Sequence, residues 1–135
     1  MSITREQLEQ FLTHHLNAKG YPDYGPNGLQ VEGSKEIESV AFSVSCTLES
    51  IQQATKLKAC ALVVHHGLFW KFHPSRTITG SFGKRIKELI KNDINLLGYH
   101  LPLDAHLDDG NAAGICETET NRRGCRYGKY NGQAR

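Results

Sequence analysis

Ala61-Leu62-Val63-Val64-His65-His66-Gly67 decides how this chain is read. Four aliphatic residues, two of them β-branched, give a short strand buried on both faces, and paired imidazoles stand at its carboxyl end. Open α/β sheets place their ligands beyond the carboxyl ends of their strands. A second run, Ile94-Asn95-Leu96-Leu97-Gly98, leads in the same way into His100-Leu101-Pro102-Leu103-Asp104-Ala105-His106. Around these two strands, Val40, Phe42 and Val44 mark another over 38–45. Leu48, Ile51, Ala54 and Leu57 mark a helix, and Ile86, Leu89 and Ile90 a second helix over 83–91. Strand, helix, strand, helix, strand (βαβαβ) predicts an α/β fold with a mostly parallel sheet and flanking helices. Parallel strands at 38–45, 61–65 and 94–99 bring His65, His66, His100 and Asp104 to one sheet edge.

Upstream, Thr4 with Gln7 fits a capping box, and Leu8, Phe11, Leu12 and Leu16 recur at helical spacing until Gly20 and Pro22. Tyr21-Pro22-Asp23-Tyr24-Gly25-Pro26-Asn27-Gly28 reads as a turn-rich loop, and Leu29-Gln30-Val31-Glu32-Gly33 as a short edge strand. No internal repeat is present.

At 135 residues the chain is long enough for one domain with its own core. Sixteen basic against 14 acidic residues is too even a balance for a nucleic-acid partner. No apolar run approaches the ~18 residues of a membrane span, so no membrane partner is expected. The start lacks an apolar signal region, and Cys46, Cys60, Cys116 and Cys125 show no C-x-x-C spacing. Free thiols in a reducing, cytoplasmic compartment are therefore expected. From Ile115 onward neither period persists, and Arg122, Arg123, Arg126, Lys129 and Arg135 crowd the end. The expected division is an ordered 1–111 and a divergent, disordered tail over 112–135.

Imidazole and carboxylate together suit Zn, Mn, Fe or Ni, and the absence of clustered thiolates argues against a structural cysteine site. Adjacent histidines on an extended chain point in opposite directions. They can serve two ions, or one can turn inward while the other binds. The bland alternative, polar strand ends, is outweighed once His100 and Asp104 join them. His106 is expected at the surface or behind the ligands, His14 and His15 on the surface or core rim of the first helix, and His73 in solvent. Pro102 is read as shaping the turn after His100. Phe69, Trp70 and Phe72 are assigned to packing rather than to a pocket wall.

Three stretches together resemble the NIF-three-like family, whose members are often described as GTP cyclohydrolase I type 2 homologues. They are Asp23 to Gly33, Val64 to Trp70, and Asn92 to His106. The likeness runs from the first helix to about Gly110-Asn111 and so covers the N-terminal half of the family's pattern. It implies an α/β protein with a dinuclear metal centre, two divalent ions, and a ring-shaped homohexamer. It further implies that His65, His66 and Asp104 are metal ligands and that His100 lies at the site, as a weaker ligand or a supporting partner. In the hydrolase reading drawn from it, His100 is the catalytic residue that assists proton transfer. The expected function is metal-dependent hydrolysis of a small-molecule substrate by a metal-activated water. A non-catalytic metal-binding scaffold or regulatory module is the alternative.

The family's second half carries a His-x-x-x-Glu motif that completes the metal shells, and this sequence has none. Three ligands for two ions, a doubtful hexamer, substoichiometric metal and little turnover are the expectations for a truncated chain. A frameshifted or truncated coding sequence after about Ala112 is the accompanying expectation for the tail.

Overall fold

The computed structural model describes residues 1–111 together with Ala113 and Gly114. Ala113 and Gly114, within the stretch expected to be disordered, are helical, and the rest of that tail lies outside the described residues. The elements run β1 (Ile3–Thr4), α1 (Arg5–His15), a 3-10 turn (Ala18–Gly20), β2 (Gly28–Val31), β3 (Glu36–Ile37) and β4 (Val40–Ser45). They continue through α2 (Leu48–Lys56), β5 (Ala61–His66), α3 (Gly80–Lys91), β6 (Asn95–Gly98) and α4 (Leu101–Ala105). β1 and β3 form a small antiparallel pair that the sequence reading did not anticipate.

The main sheet has the order β2-β6-β5-β4. β4, β5 and β6 are parallel, with Val63 opposite both Phe42 and Leu97, and β2 closes the β6 edge antiparallel. The expected βαβαβ core with one short edge strand is the observed architecture. Period-two alternation in β5 and β6 divides the core between the two faces. Leu62, Val64 and Leu96 pack with Ile51 and Ala54 of α2 and with Phe82, Ile86 and Leu89 of α3. Ala61, Val63, Leu97 and Tyr99 pack with Leu8 and Leu16 on the α1 side.

The helix starts follow their caps. Thr4 accepts from the Gln7 amide while the Gln7 side chain accepts from the Thr4 amide, which is the reciprocal box expected for α1. Thr47 and Ser50 repeat the arrangement at α2. α3 begins at Gly80, a turn earlier than the expected residue 83. The preceding chain folds back so closely that a Cβ on Gly83 would sit 2.7 Å from the Ile78 carbonyl. Gly83 therefore belongs inside the first turn, where only a bare Cα fits. Phe11, Leu57 and Ile90 extend the apolar periodicity of their helices but remain exposed. None of the described helices is long and apolar enough to cross a membrane.

Asn95 opens β6 with a fully buried amide. Its Oδ1 accepts from the Gly33 amide at 2.8 Å, and its Nδ2 donates to the carbonyls of Ser34 (2.7 Å) and Cys60 (3.0 Å). One side chain thereby ties the loop after β2 to the start of β5.

Candidate metal centre

The β5–β6 ladder ends where Val64 faces Gly98, so His65 and His66 run past the end of their neighbour. Beyond them, Gly67 and Gly98 close around the Gln30 side chain, which a Cβ at either position would displace. Gln30 accepts from the Leu68 amide at 2.9 Å and donates to the Pro26 carbonyl at 2.9 Å, fixing the turn after the histidines. Extended pleating predicts opposed imidazoles, yet the two ring centroids lie 4.4 Å apart and tilted by 50°. That expectation is corrected. The pleat separates neighbouring side chains only while the strand continues, and here the chain turns at Gly67. His65 is buried and His66 is exposed.

His100 reaches the same point from the end of β6, with its ring centroid 4.8 Å from that of His65 and 5.8 Å from that of His66. One ring nitrogen from each of the three histidines lies within 4.8 Å of the other two. Asp104, on α4, joins from one side: its Oδ1 stands 3.6 Å from His65 Nε2 and accepts from Asn111 Nδ2 at 2.9 Å. Pro102, expected only in a turn, sits in the first turn of α4, where proline's missing N–H costs nothing.

The hydrogen bonds fix where the imidazole protons sit. His65 Nδ1 is 3.3 Å from the Tyr99 carbonyl, which can only accept, so Nδ1 carries the hydrogen. In the neutral ring Nε2 is then a bare lone pair, and it faces the Asp104 carboxylate. His100 Nδ1 lies 2.8 Å from Asp23 Oδ1. The Asp23 side chain is 2% exposed. Burial opposes its charge, but bonds from His100, the Leu101 amide, Asn27 and the Tyr24 amide outweigh it and hold the carboxyl below its usual range. His100 Nδ1 therefore donates, and its Nε2 is the free acceptor. His66 Nδ1 is 2.9 Å from Ser45 Oγ. Desolvation, with His65 and His100 close by, lowers the pKa of His66 and favours its neutral form, against a smaller opposing pull from Asp104.

Imidazole nitrogens and one carboxylate fit a borderline divalent cation. Donors around a tetrahedral ion with 2.0–2.1 Å bonds stand roughly 3.3 Å apart, so the observed spacing needs only small side-chain rotations. The three imidazoles form the close group and Asp104 stands beside it, 3.6 Å from His65; four donors are too few for two such shells. Trp70 flanks the group, edge-on to His100 with centroids 5.0 Å apart, while Phe69 packs against Phe82. Phe72 is exposed and stacks on Trp70. His73 contacts Arg76, and His14 is exposed, both away from the centre. His15 and His106 meet each other, with His15 lining the same cavity as His65.

The sequence reading missed Asp23, Asn27, Gln30 and Ser45, which orient the imidazoles rather than join them. The available signal was the pairing of Asp23 with Asn27 in a loop rigidified by Pro22 and Pro26. The glycines there were read only as turn formers.

Comparison with known proteins gives the family and the fold. The family model Duf34/NIF3 (NGG1p interacting factor 3) matches residues 3–119. A "GTP cyclohydrolase 1 type 2 homolog" from Pasteurella multocida is 51% identical over 107 residues, covering 79% of this chain and 42% of the relative. Its counterpart in Vibrio cholerae is 48% identical over 111 residues, covering 82% and 44%. Among solved structures, the structural-genomics protein ybgI, described as of unknown function, superposes with a TM-score of 0.81 at 43% identity. That match covers 84% of this chain and 45% of the other. The chain thus spans less than half the length of these relatives.

Proposed function

The chain belongs to the Duf34/NIF3 family, and from that premise we propose that it is a divalent-metal protein whose ligands are His65, His66 and Asp104, with hydrolytic chemistry assisted by His100. The observation that carries this reading is the placement of the imidazole protons. Tyr99 and Asp23 occupy the Nδ1 hydrogens of His65 and His100, leaving both Nε2 atoms as acceptors, and the Asp104 carboxylate, held by Asn111, stands 3.6 Å from that of His65. A cation satisfies such a set. When bound, a Zn, Mn, Fe or Ni ion supplies Lewis-acid polarisation of a substrate oxygen or water. Two ions are the proposed complement, the second requiring ligands additional to these four.

The residues around the centre have separable roles. Asp23 holds the His100 ring through its Nδ1 hydrogen, so His100 Nε2, where it is not itself bound to the cation, can take a proton from an attacking water and return it to a leaving nitrogen. The Tyr99 carbonyl keeps His65 in the tautomer that presents Nε2. Ser45 steadies His66, the exposed member of the set. Trp70 walls one side of His100 and restricts water there. The name shared by the relatives points to a purine nucleotide such as GTP as the substrate class, opened by hydrolysis. A homohexamer and a cytoplasmic location complete the proposal.

Metal analysis by plasma mass spectrometry, run beside chromatography of GTP after incubation with Zn²⁺, Mn²⁺, Fe²⁺ or Ni²⁺, tests it. Expected are metal that is lost in His66→Ala and turnover that a chelator or His100→Ala abolishes, at a level below that of the longer relatives. Bound metal with GTP left intact favours a non-catalytic scaffold. A chain that takes up no metal at any of these residues contradicts the proposal.

A further inference from the structure

A second group of donors shares no residue with the centre just described, although His15 and Asp109 line the same cavity as His65. His15 ends α1, His106 follows α4 as its C-terminal cap, and Asp109 lies in the turn beyond. One donor atom from each lies within 4.8 Å of the other two. His15 Nε2 is 2.8 Å from Asp109 Oδ2, and the same oxygen is 3.8 Å from His106 Nδ1. The two imidazole centroids are 4.7 Å apart, and Phe11 stacks on the far side of His15 with an interplanar angle of only 9°. The Asp109 amide donates to His106 Nδ1 at 3.0 Å, so that nitrogen already presents a lone pair toward Asp109.

From this arrangement we infer that His15, His106 and Asp109 form a second divalent-cation site, of the Zn²⁺, Ni²⁺ or Cu²⁺ class. Two imidazoles and one carboxylate on a surface leave the remaining coordination positions to water. The cation displaces the proton between His15 Nε2 and Asp109 Oδ2 to solvent, and at His106 Nδ1 it takes the lone pair that now accepts from the Asp109 amide, whose N–H then turns to water. Phe11 and the ring–ring contact hold both imidazoles near their bound orientation, which reduces the ordering cost of binding. The site joins elements distant in sequence. It fastens the end of α1 to the turn that follows α4, the helix carrying Asp104. Occupancy therefore stabilises the folded chain by mass action, with a melting temperature that rises with cation concentration.

Zn²⁺ titration of the full chain in a His65→Ala/His66→Ala background isolates the second site. Calorimetry is expected to show one site per chain, and thermal melts a Zn²⁺-dependent rise in Tm. Adding His15→Ala or Asp109→Asn to that background weakens affinity by about tenfold or more and removes the rise. His15 and Asp109 are both exposed, and circular dichroism of the zinc-free variants verifies that each still folds. His14→Ala, one residue away and outside the group, leaves binding unchanged. The inference is overturned if the background variant binds no Zn²⁺, or if its Zn²⁺ affinity is unaltered by His15→Ala and Asp109→Asn.

Discussion

Asp23 Oδ1 sits 2.8 Å from His100 Nδ1, joining a loop near the start of the chain to the end of β6, 77 residues later. The carboxylate is buried, accepts two backbone amides and one side-chain amide besides the imidazole, and stays ionised because of them. It assigns His100 one tautomer and one orientation. Partners of this kind typically contribute 10–100-fold to metal affinity or activity.

Asp23→Asn is accordingly expected to lower metal affinity or turnover by about 10–100-fold, with His65 and His66 unchanged. Long-range proton–nitrogen NMR gives the discriminating readout. The native chain should show hydrogen on Nδ1 of His100, and the variant an increased share on Nε2. An unchanged tautomer in the variant contradicts the positioning role.

The same carboxylate carries a pH dependence. Its folded pKa is depressed, so its contribution to stability is present above the ordinary aspartate value of 3.8 and is lost as pH falls through the lower folded value. Denaturant melts in acid should show a steeper loss of stability in the native chain than in Asp23→Asn.

Alkali acts on two other groups. Burial pushes the Cys46 thiol up to about 12, against an opposing pull from Arg85, and burial likewise pushes the Tyr99 phenol up to about 12. Both raised values mean that the folded state holds protons the unfolded chain has released. Stability is fully present below pH 9.0 and falls as pH rises through 9–12. Tyr99→Phe should flatten this decline. It also removes the contacts of Tyr99 Oη with Thr13 Oγ1 (3.0 Å) and the Glu9 carbonyl (3.3 Å), which lowers stability at neutral pH by ~1 kcal/mol. Urea unfolding across the pH range measures both effects.

Asn95→Ala should destabilise the fold by about 2–4 kcal/mol, because it strands the Gly33 amide and removes a donor from two carbonyls in a buried site. Equilibrium urea unfolding reads the difference. A change under ~0.5 kcal/mol means that water replaces the amide and that Asn95 does not anchor the loop.

The fold was legible where sequence and packing share a period. Ala61–Val64 and Leu96–Leu97 are apolar on both faces, so β5 and β6 and their parallel pairing could be read directly, and the Thr4–Gln7 cap marked the first helix. β1 and β3 could not be read in this way, since a two-residue pair is held by contacts 34 residues apart that leave no local period. Of the candidate centre, His65, His66, His100 and Asp104 were visible as donors at strand ends. Asp23 and Gln30 were not, because their effect depends on a loop folding back over the sheet edge. The convergence of adjacent imidazoles was hidden for a related reason: it depends on the turn the chain makes at Gly67, where β5 ends. His15 was read at the surface or core rim and His106 at the surface or behind the ligands, Asp109 was not singled out, and only the approach of the end of α1 to the turn after α4 brings them together.

The central claim is that the imidazoles at the end of β5 hold a divalent cation. Anomalous diffraction at the zinc edge, from crystals of the chain grown with Zn²⁺, tests it most directly. The account predicts a peak within bonding distance of His65 or His66 and of Asp104, with the His100–Asp23 hydrogen bond intact. Zinc density absent from this edge of the sheet in fully Zn²⁺-loaded crystals contradicts it.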